Sequence, residues 1–178
     1  IAEMVKHNAK VLDLGCGNGK FLKELKQKYH ARVLGIEICP EYIVGAIANG
    51  VPVIQGDLNG RLDFLDDDAF DLAILSHTVQ EVKHPDLLLK EMVRVSKQSA
   101  VSFINFGHLP CRLQLLFTGR MPQNEDIPYH WYDTPNIHLG TIDDFRSLCD
   151  ELDIRIIDEI PIGAHPRLTR HWPNLFAA

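Results

Sequence analysis

Apolar runs and amphipathic stretches alternate from the start of the chain. Val11-Leu12-Asp13-Leu14 reads as a short strand running into glycines, and Phe21, Leu22, Leu25 and Tyr29 then fall on one helical face. Residues 32–37 read as a second strand. The next helix takes Pro40 at its first position, turns Ile43, Val44 and Ile47 inward, and stops before Gly50. Residues 52–55 predict a short third strand. The unbroken apolar run 71–76 has the pattern of a strand covered on both faces. Pro85 opens a helix with Leu88, Leu89, Met92 and Val95 on its inner side, and residues 99–105 make a fifth strand.

Strand, helix and strand at this spacing predict an α/β fold with a doubly wound, mostly parallel sheet and right-handed crossovers. Ligands of such sheets bind at the carboxyl ends of the strands, where the strand order reverses. The positions to inspect are therefore residues 15–19, Glu37, Asp57, and Ser76 with His77.

The rhythm changes after Phe106. Residues 107–142 hold Pro110, Pro122, Pro128 and Pro135 together with Tyr129, Trp131 and Tyr132. A helix is expected over 110–118 with Gly119 as its stop, and the remainder reads as a long, aromatic-rich, ordered loop of the kind that carries function. Thr141 and Asp144 then form a capping box for a helix burying Phe145, Leu148, Cys149 and Leu152. Residues 154–160 read as a late strand. The whole chain, 1–178, is expected to be one domain with 107–142 as a long insert. Ile1 reads as the middle of a helix and Ala178 precedes any convincing last strand, so the sequence reads as truncated at both ends.

Composition narrows the class. Hydrophobic residues at 46% and charged residues at 24% are the balance of a soluble globular protein. No apolar run approaches the roughly 20 residues of a membrane helix. A net charge of −6 without a basic stripe argues against a nucleic-acid substrate. The four cysteines form no CxxC pair and the nine histidines show no metal-ligand spacing. Neither a disulfide framework nor a metal site is expected, and buried free thiols suit a reducing cytoplasm.

The sharpest chemical signal is Asp13-Leu14-Gly15-Cys16-Gly17-Asn18-Gly19. A dinucleotide loop needs G-x-G-x-x-G to close around a pyrophosphate; here the third glycine comes one place early, and Asp13 would repel a phosphate. Both features suit a cofactor without phosphate and with an amino-acid end, as in S-adenosylmethionine: Asp13 attracts the ammonium, and the helix after Gly19 meets the carboxylate. Glu37, followed by Ile38, ends strand two where an acid receives both ribose hydroxyls, although the same position serves NAD enzymes. Asp57 after strand three accepts from an adenine amino group while Leu58 packs on the ring, or else simply forms a turn.

These features resemble the class I S-adenosylmethionine-dependent methyltransferase superfamily, with Rossmann-like folding, over residues 5–105. That resemblance implies a seven-stranded sheet. It also implies a cofactor site made by Asp13, Gly15, Cys16, Gly17, Gly19, Glu37, Ile38, Asp57, Leu58 and Ser76. A second resemblance spans nearly the whole chain. Gly119-Arg-Met-Pro122, Tyr129-His-Trp-Tyr-Asp-Thr-Pro-Asn-Ile-His138 and Trp172-Pro-Asn-Leu-Phe176 are similar to the methionine-biosynthesis protein MetW family. It implies a role in methionine biosynthesis beside homoserine O-acyltransferase. No catalytic residue stands out. Ser76-His77-Thr78 lacks the Asn/Asp-Pro-Pro-Tyr arrangement of DNA and glutamine N-methyltransferases. His77 suits either a base or a pocket wall. Tyr132, Asn136 and His138 suit a lid over a small acceptor, and the segment 112–138 equally suits a partner surface. An active small-molecule methyltransferase and a cofactor-binding accessory of the acyltransferase both remain open.

Overall fold

The apolar runs become strands because each is flanked by a turn residue and can bury both faces. The computed structural model describes residues 1–125, 127–163 and 166–177. It contains β1 (Lys10–Leu14), α1 (Lys20–Tyr29), β2 (Arg32–Glu37), α2 (Pro40–Ala48), β3 (Val53–Gln55), β4 (Leu72–Ser76), α3 (Pro85–Val95) and β5 (Ser99–Ser102), in that order. The five strands form one sheet in the order β3-β2-β1-β4-β5, every pairing parallel. The order runs outward from β1 in one direction and restarts beyond it at β4, so the switch point lies between β1 and β4. The doubly wound α/β expectation is met.

In β1, Val11, Leu12 and Leu14 are fully buried although successive side chains point to opposite faces, the mark of a sheet covered on both sides. One core joins Val11, Leu22, Leu25, Ala46, Leu72 and Ile74, with Phe21, Tyr29 and Val33 packed on its margin. In α3 the expected Leu88, Leu89, Met92 and Val95 are the buried residues.

In α2 the inner face differs from the one expected at Val44 and Ile47, while Ile43 is half-buried. Val44 is 68% and Ile47 62% exposed, while Ala46 is fully buried. The reason is close approach: a Cβ on Gly45 would lie 3.0 Å from Asn18 Cβ, and one on Gly19 would lie 3.1 Å from Ala46 Cβ. The helix rests on the glycine loop through its small residues, which turns the bulky stripe outward.

The chain divides into two compact units, the sheet unit Ile1–Ser102 and a second unit from Phe103 onward. The second holds α4 (Leu109–Thr118), α5 (Ile142–Glu151), α6 (Pro166–His171) and α7 (Pro173–Phe176). Thr141 caps α5 in the expected box with Asp144, and Gly119 ends α4 in a left-handed conformation. The fifth strand stops at Ser102, short of the expected Asn105. Asn105 is buried and its amide is spent as a pin: Nδ2 donates to the carbonyls of Asn174 (3.2 Å) and Ala177 (2.9 Å), and Oδ1 accepts from Gly107 N (2.9 Å).

Residues 154–160 are not a strand. Ile157 and Ile160 are each 69% exposed, and Glu159 is drawn into a two-pronged pair with Arg146 of α5 (2.8 and 2.5 Å). β-branched residues favour extended backbone, but a strand needs a neighbour for its N–H and C=O groups, and among the described residues this segment has none. Five strands are therefore present among the described residues, against the seven implied by the superfamily resemblance.

Candidate functional site

β1 ends in a loop whose three glycines face different surroundings. A Cβ on Gly15 would meet Thr78 Oγ1 at 2.6 Å, and one on Gly19 would press on Ala46 and Val51. A Cβ on Gly17 would meet nothing within 4 Å, yet its φ of +53° is left-handed. Gly15 and Gly19 thus serve packing inside the protein, while Gly17 borders open space where a ligand can approach the backbone. Gly19 is the N-cap of α1 and supplies no side-chain cap; the first N–H, of Lys20, donates to Asn18 Oδ1 (3.3 Å), and the rest of the first turn has no side-chain acceptor among the described residues.

Two carboxylates stand over this loop. Glu37 is 7% exposed and already engaged: Oε2 accepts from Gly17 N (2.8 Å), and Oε1 accepts from Ile38 N (2.9 Å) and Cys39 N (3.0 Å). It ties the end of β2 to the glycine loop as well as presenting charge. Asp13 is 5% exposed and accepts no hydrogen bond from any described residue. Burial and the nearby charge of Glu37 push its carboxyl up to about 7. Burial beside a second carboxylate makes the charged form of Asp13 costly. The same burial and the charges of Asp13 and Glu37 push the Cys16 thiol up to about 12, far from a nucleophilic thiolate.

The remaining expected residues lie at neighbouring strand ends. Ser76 closes β4 and its Oγ pairs with Ser102 Oγ of β5 (3.0 Å). Asp57 is exposed beyond β3 and turns its own backbone, accepting from Asn59 N (2.9 Å) and Asn59 Nδ2 (2.7 Å), which holds it below the usual carboxylate range. Leu58 is half-buried beside it, and Ile38 is 57% exposed beside Glu37. His77 follows β4 with φ +59°, an uncommon conformation for a non-glycine residue and a form of strain met at functional sites.

Two residues of the site escaped sequence reasoning. Thr78 braces Gly15, and its Oγ1 donates to Ser76 O (3.0 Å). Glu81 closes the following turn by donating its N–H to Thr78 O (3.0 Å), and its carboxyl is raised by burial and by Glu37, opposed by His77. Thr78 ends the Ser76-His77-Thr78 string, whose residues carry no sign that it braces Gly15; the pairing of β1 with β4 brings it there, and Glu81 follows in the same turn. Among the described residues, no three His, Cys, Asp or Glu side chains gather as a metal-binding group.

In the second unit, Asn136 is buried, while Trp131 and Tyr132 are 75% and 68% exposed and meet edge to face at 5.7 Å. His130 stacks on Tyr132 at 5.2 Å. His138 is exposed.

The sequence profile described as methionine biosynthesis protein MetW matches residues 1–178. The chain belongs to the MetW family. It is 34% identical, over 90% of its length, to the bifunctional methionine biosynthesis protein MetXA/MetW of Rhodopirellula baltica, of which it spans 27%. It is 33% identical, over 83% of its length, to ajmaline N-methyltransferase of Rauvolfia serpentina, of which it spans 52%. The chain thus covers between a quarter and about half of these relatives. Among solved structures, an S-adenosylmethionine-dependent methyltransferase from Mesorhizobium loti matches with TM-score 0.68 at 17% identity, over 94% of this chain and 83% of that one. One from Thermotoga maritima, described as a possible histamine N-methyltransferase, matches with TM-score 0.61 at 20% identity, over 84% and 66%. These likenesses establish the class I methyltransferase fold for this MetW-family chain.

Proposed function

We propose that this chain binds S-adenosylmethionine at the glycine loop and, within methionine biosynthesis, transfers its methyl group to a small acceptor. The observation that carries the reading is Asp13: a carboxyl only 5% exposed and raised to about 7 by burial and by Glu37, on the strand that runs into the loop where Gly17 borders open space. Asp13 would hold the ammonium of the cofactor, the N–H groups at the start of α1 its carboxylate, and Glu37 its ribose hydroxyls. Asp57, Leu58 and Ile38 would border the adenine, with Cys16 and Ser76 lining the pocket. When bound, the cofactor supplies an electrophilic methyl group on a sulfonium. The chain's own part is to orient, to exclude water and to hold charge. Residues 1–178 act together in this reading, in the cytoplasm, with 107–142 reserved for the acceptor or a partner.

A second reading has its own support. A relative that joins MetXA and MetW in one polypeptide favours association with homoserine O-acyltransferase, and so a cofactor-binding accessory role.

Calorimetry with S-adenosylmethionine, S-adenosylhomocysteine and NADH tests the first reading. Both adenosyl compounds are expected to bind and NADH not to. Glu37→Ala is expected to weaken binding by about 2–3 kcal/mol, since two hydroxyls lose a charged acceptor. Because Glu37 also accepts from Gly17 N on one oxygen and from Ile38 N and Cys39 N on the other, urea unfolding of the Ala variant is measured beside its affinity, so that loss of the loop bond is told apart from loss of a ligand contact. Equal affinity for NADH would remove the assignment.

A further inference from the structure

Strands β3 and β4 are not neighbours: β2 and β1 lie between them, which sets them about 14 Å apart at the usual strand spacing. The segments that follow them nevertheless meet. Asn59, beyond β3, accepts the N–H of Lys83, beyond β4, on its side-chain oxygen (2.6 Å), and its Nδ2 donates to Asp57 Oδ1 (2.7 Å). Asn59 N donates to the same Asp57 oxygen (2.9 Å). One side-chain amide thus joins the carboxylate of the turn after β3 to the backbone just before α3. Asp57 Oδ1 has both its lone pairs filled by these donors, while Asp57 Oδ2 accepts from no described residue. Further on, the segment is fastened to α3 without Asn59. Leu62 N donates to Glu91 Oε2 (3.1 Å), and Arg94 donates to the carbonyls of Leu62 (3.0 Å) and Leu65 (2.9 Å). The exposed bridge at Asn59 is therefore not what holds this stretch of chain in place.

We infer that Asn59 is a positioning residue for base recognition: it fixes the Asp57 carboxylate with Oδ1 spent and Oδ2 left for the exocyclic amino group of an adenine. This rests on the cofactor reading above and adds what sets the choice of base. An exposed aspartate free to rotate about its Cβ–Cγ bond loses side-chain entropy when a ligand orders it. With Oδ1 held by two donors, that rotation is stopped before the ligand arrives, and the bond to Lys83 N keeps the turn from shifting as a whole. The same donors hold Asp57 below the usual carboxylate range, and an ionised carboxylate is an acceptor only. Adenine offers an N–H donor to it. Hypoxanthine, otherwise alike, presents a carbonyl oxygen at that place, which a carboxylate repels. The selection is for an amino-purine over an oxo-purine.

Calorimetry compares S-adenosylhomocysteine with S-inosylhomocysteine, its hypoxanthine counterpart, and urea unfolding is run on each variant. The wild-type chain is expected to bind the adenine compound about tenfold tighter, as one charge-assisted bond supplies. Asp57→Ala should abolish the preference. Asn59→Ala should keep its unfolding midpoint and lose most of the preference, through weaker binding of the adenine compound with the hypoxanthine compound unchanged. Equal affinity of the wild-type chain for the two compounds, or a preference that survives in either variant, overturns the role of Asn59 while the cofactor site stands. So does an equal loss for both compounds in Asn59→Ala, or a variant that no longer folds, since either makes the bridge a support for the fold alone. Failure of the adenine compound to bind the wild-type chain overturns the cofactor reading as well.

Discussion

At the scale of the residue, the site stores its cost in Asp13. In the unfolded chain this carboxyl ionises at its ordinary value near 4, whereas burial and Glu37 hold it near 7 in the fold. Between those values the folded state keeps a proton that the unfolded chain has released. Stability therefore falls as pH rises from about 4 to about 7, by on the order of 1.4 kcal/mol for each pH unit across the window, and the full cost persists above it. Asp13→Asn has no charge to bury. Urea unfolding is expected to find the variant more stable than the wild type at pH 8 and close to it at pH 4, with S-adenosylmethionine affinity lowered at pH 8 and much less changed at pH 4. A variant that is less stable at pH 8 would show that Asp13 already has its partner inside the fold. The same logic says that a ligand ammonium displaces the Asp13 proton, so binding near pH 7 should release a fraction of a proton to the buffer.

At the scale of the element, helix α2 decides how the glycine loop is supported. Its small residues touch the loop, and its bulky stripe faces outward. Ala46→Leu adds volume where Ala46 already abuts Gly19 and is expected to cost about 1–3 kcal/mol. Ile47→Gln and Val44→Gln should stay within about 0.5 kcal/mol of the wild type in urea unfolding. The opposite ranking would restore the face read from periodicity. That misreading is instructive, because a 3.6-residue period identifies a stripe but not which of two adjacent stripes meets the sheet. Size matching to Asn18 and Gly19 makes that choice. The five strands were legible because each is an apolar run bounded by turn residues, and the loop from Asp13 to Gly19 was legible because its chemistry is local. Residues 154–160 misled because propensity describes one chain segment while a strand is a property of two. The contact of Thr78 with Gly15 was invisible for a related reason: it forms only through the pairing of β1 with β4, about sixty residues apart in sequence.

At the scale of the whole molecule, the second unit carries apolar surface that its own packing does not use. Leu116, Phe117, Trp131 and Tyr132 are between 68% and 78% exposed. They are not scattered. Gln123 N donates to Gln114 Oε1 of α4, Gln123 Nε2 meets His130, and His130 stacks on Tyr132, so helix and aromatic loop form one supported surface. Aromatic residues held in place, with Arg120 and Met121 between them, match the composition of protein interfaces, and a preformed surface spares the entropy of ordering it on binding. The relative fused to MetXA makes homoserine O-acyltransferase the partner to test. The competing use of the same residues is closure over an acceptor. Trp131→Ala separates them, because a central Trp contributes about 2 kcal/mol or more to an interface, about thirtyfold in Kd. As a partner surface, it predicts loss of co-sedimentation with the acyltransferase of the same organism at micromolar concentration, with S-adenosylmethionine affinity unchanged. Closure predicts the reverse, an intact complex and faster loss of bound ligand. If the wild-type chain and the acyltransferase stay apart with and without S-adenosylmethionine, the accessory reading falls.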